Sequence, residues 1–127
     1  MPNTLPDKWQ ALQQFWSGFS LPAYDENTVP DEAEMPYITY EGGVGNFDKV
    51  LSLSAQIFYY DTSWKSICNK ADEIAAAIGY GYKIIKVDGG YLYITQGSPF
   101  AQKLDEPNNE NVRRIIINIS AEFFTAD

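Results

Sequence analysis

The chain has 127 residues, 45% hydrophobic and 20% charged, which is the size and make-up of one folded domain and excludes a disordered chain or two separate cores. A formal charge of −8 and an isoelectric point near 4.4 repel phosphate and anionic lipid, which argues against a nucleic-acid or membrane-surface binder. The absence of histidine removes the commonest general base and metal ligand, and a single cysteine, Cys68, allows neither an intrachain disulfide nor a cysteine-rich zinc site.

Leu5, Trp9, Leu12, Trp16 and Phe19 recur at helical spacing, with Lys8, Gln10, Gln13 and Gln14 opposite, and predict a first helix. Thr4 is its expected cap, Pro6 and Asp7 lie just inside it, and Gly18, Ser20 and Pro22 end it. From Leu21 to Glu34 there is no period, and Asp25, Glu26, Asp31, Glu32 and Glu34 stand without a base, so an exposed acidic loop or arm is expected. Tyr37 to Tyr40 is β-prone and is followed by turn material from Gly42 to Asn46, which reads as a strand and a hairpin loop.

Beyond Val50, Leu51, Leu53, Ala55, Ile57 and Tyr59 alternate with Ser52, Ser54 and Gln56, the pattern of a half-buried strand. Thr62 or Ser63 then caps a second helix with the stripe Trp64, Ile67, Ala71, Ile74, Ala75 and Ile78, stopped by Gly79. Tyr82 to Val87 and Tyr91 to Thr95 flank Asp88-Gly89-Gly90 and predict a tight hairpin. Gly97-Ser98-Pro99 and Asp105 to Asn109 make the next connection irregular, and Arg113 to Phe124 alternates as a final long strand. The order predicts one α+β domain over residues 1–127, a mainly antiparallel sheet with two helices packed on it.

Chemistry-bearing constellations are scarce. Gly42-Gly43-Val44-Gly45 joins two strands and lacks the Lys-Ser/Thr ending of a phosphate loop, so it reads as a turn. The acids between Asp25 and Glu34 do not follow calcium-loop spacing, and Asp72 and Glu73 stand about 100° apart on a helix, too divergent to act as paired acid and base. Cys68 reads as a small core or boundary residue, and Trp9, Trp16 and Trp64 as core. No catalytic residue, cofactor or metal is expected. Nine tyrosines exceed what a small core needs and point to a protein-binding surface. The longest apolar runs are a few residues, and the polar opening lacks a secretory leader, so no membrane partner and a cytoplasmic site of assembly are expected.

Several stretches resemble one family: Leu21-Pro22-Ala23-Tyr24-Asp25-Glu26-Asn27-Thr28-Val29-Pro30, Pro36 to Tyr40, Ser63-Trp64, Gly97 to Gln102, and Arg113-Arg114-Ile115 through Glu122-Phe123. Together, from about Leu5 to Ala126, the chain is similar to the tail terminator or tail completion proteins of bacteriophages. That resemblance implies a six-membered ring that caps the head-proximal end of the tail tube, ends tube polymerisation and offers a docking face to the head connector or head-completion protein. It further implies a place in the virion neck, DNA passing through without specific binding, and the chain itself and the tail tube protein as partners. Tyr24, Asp25, Glu26, Val29, Pro30, Pro99, Phe100, Phe123 and Phe124 are then the candidate contacts with subunit, tube or connector. Another head-tail joining or minor tail protein is the neighbouring alternative. From a different class, an acidic domain of this size could neutralise a cationic toxin as an immunity protein.

Overall fold

The computed structural model describes residues 5–43 and 50–125; the expected cap Thr4 and residues 44–46 of the expected hairpin loop lie outside them. In chain order the elements are α1 (Lys8–Trp16), a 3-10 turn (Ser17–Phe19), β1 (Ala23–Asp25), β2 (Tyr37–Tyr40) and β3 (Leu51–Tyr60), then α2 (Lys65–Ile78), β4 (Lys83–Val87), β5 (Gly90–Leu104) and β6 (Val112–Thr125). The strands form one curled sheet in the order β1-β2-β3-β6-β5-β4. Every neighbouring pair is antiparallel except β1 with β2, so the α+β class and the mainly antiparallel sheet follow the sequence pattern.

The parallel pair is a departure. Ala23 to Asp25, expected to be loop, forms an edge strand beside Ile38 to Tyr40. Main-chain bonds at both ends fix it: Ile38 N–H donates to the Pro22 carbonyl at 2.8 Å and Glu26 N–H to the Tyr40 carbonyl at 2.9 Å. Three residues show no readable alternation, and the backbone bonds that make them a strand are supplied by a partner 15 positions away. A parallel pair cannot be joined by a tight turn. Residues 26–36 therefore have to travel back along β1 before β2 begins.

The connection expected at Gly97-Ser98-Pro99 is also strand. β5 continues to Leu104 because a bulge absorbs the irregular residues: Gln96 pairs with Ile119 and Ala101 with Ile117, leaving residues 97–100 opposite Asn118. Gly97 is required there, since a Cβ would lie 2.8 Å from the Asn118 carbonyl oxygen. Asn118 Nδ2 donates to the Pro99 carbonyl at 3.1 Å and satisfies part of the interrupted ladder.

One face of the sheet carries the core. Ile38, Tyr40, Leu53, Ala55, Ile57, Leu92, Ile94, Ile115, Ile117, Ile119 and Ala121 are all buried, and the register places them side by side. α2 lays Ile67, Ala71, Ile74 and Ile78 on this face, against β3, β5 and β6. Its N-cap is Trp64, which makes no side-chain cap bond, and not the expected Thr62 or Ser63; Ser63 Oγ, one residue earlier, accepts from Lys65 N–H at 3.0 Å. Gly79 ends it at φ 77°, and Gln96 Nε2 donates to the carbonyls of Ala75 and Gly79, so the bulged strand satisfies the helix terminus.

α1 starts later than the spacing predicts, and its buried face keeps Leu12, Trp16 and Phe19 but is rolled toward Lys8, Ala11 and Phe15. Asp7, not Thr4, is the cap, in a reciprocal pair with Gln10: Gln10 N–H donates to Asp7 Oδ1 at 2.8 Å, and Asp7 N–H to Gln10 Oε1 at 3.0 Å. The buried stripe is Lys8, Ala11, Leu12, Phe15 and Trp16, continuing to Phe19, with Trp9 only half-buried. Lys8, expected on the polar side, is 7% exposed because its aliphatic stem lies on the core while its Nζ sits 3.8 Å from the centre of the Phe123 ring. α1 reaches both β2 and β4 across the curl of the sheet. No helix among the described residues is long and apolar enough to cross a membrane.

Candidate protein-binding face

Both helices lie on one side, so no helix among the described residues covers the other face of the sheet, and the alternation that built the core dictates what that face carries. Residues between the buried positions point outward: Tyr24 on β1, Tyr37 on β2, Phe58 on β3, Arg114 and Phe124 on β6, Tyr91 and Tyr93 on β5, Ile84 on β4. They gather into two aromatic groups separated by the polar strip Ser54, Gln56, Asn118 and Ser120.

The first group is a row across strands. Tyr24 meets Tyr37 edge-on at 5.8 Å, Tyr37 stacks on Phe58 at 5.0 Å, and the Arg114 guanidinium lies 5.3 Å over Phe58. Arg114 is held in place by Gln56 Oε1 at 2.7 Å and Glu106 Oε2 at 3.3 Å. The second group joins Tyr82 to Tyr93 at 4.9 Å and Tyr93 to Phe124 at 4.5 Å. Its edge is open to water, with Tyr82 56%, Ile84 47% and Phe124 42% exposed. Of the nine tyrosines only Tyr40 is buried. Such rings offer large contact area and lose little entropy when a partner covers them.

The sequence-predicted contact residues do not form one site. Tyr24 belongs to the first aromatic group and Phe124 to the second. Asp25 lies on the core side of β1, where its Oδ1 accepts from Asn27 N–H at 2.9 Å, while Glu26 is exposed and Val29 and Pro30 are half-buried in the return segment. Pro99 and Phe100 sit in the bulge; Pro99 is exposed, whereas Phe100 packs against the core. Phe123 likewise faces inward, beneath Lys8. Tyr37, Phe58, Tyr82 and Tyr93 went unrecognised as surface residues, although the outward parity that begins at Ser52 continues to Phe58.

Among the described residues no three His, Cys, Asp or Glu side chains converge as a metal site would require. Cys68 is a free, half-buried boundary residue on α2. Trp64 lies between Lys103, 4.8 Å from its ring centre, and Arg113, at 5.3 Å, the latter anchored on the Thr62 carbonyl at 2.8 Å.

Two phenols have raised pKa values. Burial, then the nearby Asp25 carboxylate, disfavours the Tyr40 phenolate; burial also raises Tyr59, opposed by Lys70 and assisted by Glu73. Above pH of about 10 the unfolded chain loses these protons before the folded one does, so stability falls as pH rises through the folded-state values. Tyr40→Phe is expected to retain stability at neutral pH and flatten this alkaline loss, read as denaturant midpoints between pH 8 and roughly 11. An unchanged alkaline slope would place the titrating group elsewhere.

Comparison with protein-family models and with curated proteins finds no match for this chain.

Proposed function

We propose that the chain is a phage structural subunit that closes with copies of itself into a ring on the head-proximal end of a tail tube. There it ends tube growth and receives the head connector. The bare sheet face with its two aromatic groups is the observation that carries this reading. A ring subunit needs two different flanks for its neighbours and a further surface for the tube, and a sheet covered on one side only offers all three. The resemblance in sequence supplies the class of assembly; the fold supplies surfaces suited to it.

Capping requires shape complementarity and no bond-making. The net charge of −8 suits a passage for DNA, because acidic walls repel phosphate and let the duplex slide. Light scattering on the purified protein is expected to find a closed oligomer whose mass does not grow further with concentration. Compact monomers at every concentration, together with no binding to tail tubes, would count against the ring. The exposed acids Glu26, Asp31, Glu32 and Glu34 would equally suit a toxin-neutralising role. A one-to-one complex with a cationic protein in place of self-association would favour that second reading.

A further inference from the structure

We infer that the ring closes edge to edge, the β4 edge of one copy seating in the groove beside β1 of the next. This assignment rests on the ring reading above and adds which two surfaces meet. β1 and β4 are the two edges of the sheet. Because β1 and β2 run parallel, the segment from Glu26 to Pro36 returns alongside β1 and leaves a groove between itself and the start of that strand. Pro22, Pro30, Ala33 and Met35 give this groove an apolar lining, and Glu32 and Glu34 add carboxylates to it. The segment from Asp25 to Glu34 holds five acids and no base.

The β4 edge has the complementary character. Ile84 is an exposed apolar side chain, and Lys83 and Lys86 flank Ile84 and Ile85. Neither lysine takes part in an ion pair among the described residues. Charge also decides how two copies can meet. A β4 edge facing a second β4 edge opposes lysines to lysines, and two acidic grooves repel likewise, whereas β4 against the groove matches both charge and apolar surface. The favoured contact is therefore heterologous, the type that generates rings.

Lys83→Glu with Lys86→Glu gives a subunit acidic at both edges; Asp31→Lys with Glu32→Lys and Glu34→Lys gives one basic at both. Each alone is expected to associate at least about 100-fold more weakly than the parent chain, and an equimolar mixture to assemble again by alternation. Sedimentation at low ionic strength reads both, with circular dichroism checking the fold. Should a reversed chain fail to fold, Lys83→Gln with Lys86→Gln substitutes for it, expected to weaken assembly and to reduce its salt dependence. If the parent chain assembles and the variants assemble equally well, or if the mixture stays dissociated, the edge pairing is wrong while the ring reading stands. A parent chain that never self-associates, free or on tubes, overturns both.

Discussion

Trp16→Ala should cost about 3–5 kcal/mol of folding stability, a large share of the roughly 5–15 kcal/mol typical of a domain. Trp16 is 2% exposed and meets Phe15 edge-on at 5.0 Å, which itself meets Phe19 at 5.3 Å. Removing the indole leaves a hole between α1 and the sheet that its rigid aromatic neighbours cannot fill, so the transfer and cavity terms add. The thermal midpoint is expected to drop by roughly 10–20 °C. Trp9→Ala, at a half-buried position on the same helix, should cost distinctly less. Equal losses at the two positions would mean that α1 is rolled so that Trp9 is buried together with Trp16, as simple spacing predicts.

Tyr82→Ser combined with Phe124→Ser should do the opposite, sparing the fold and disabling the proposed binding face. Both side chains are largely open to water, so the stability lost is confined to their ring contacts with Tyr93, about 0.5–1.5 kcal/mol each. On a docked partner, however, exposed aromatics of this kind act as anchors worth about 2 kcal/mol or more apiece. Their joint removal is expected to weaken tube binding on the order of 100-fold or more, measured by pelleting with tail tubes, at a melting temperature near that of the parent chain. Undiminished pelleting would move the tube contact off this side of the sheet.

The two variants also separate what the sequence carries from what it conceals. Strands with strict alternation, such as Leu51 to Tyr59 and Ile115 to Phe123, were legible because one face is buried and the period is two. The stripe of α2 was legible for the same reason at helical period. β1 was not, since a three-residue strand is created by main-chain bonds to a distant partner and leaves no side-chain pattern. The extension of β5 through Gly97 and Pro99 was hidden because turn residues normally break strands, and only the opposing Asn118 makes a bulge of them. Lys8 was misplaced because a lysine stem can lie buried while its charge rests on a ring.

The candidate binding face was legible only in part. An excess of tyrosine announced a surface, but composition does not say which rings share one side of a sheet; that depends on register, which brings Tyr24, Tyr37 and Phe58 together across three strands. The family resemblance, by contrast, marked Phe100 and Phe123 as contacts, and both pack inward.

Electron microscopy of the tail tube protein polymerising in the presence of this chain tests the central claim most directly. The expected result is tubes of arrested length, each closed at one end by a ring, with added protein shortening the tubes. Tubes that lengthen unchecked with bare ends, while the chain remains a separate particle in the background, would contradict it.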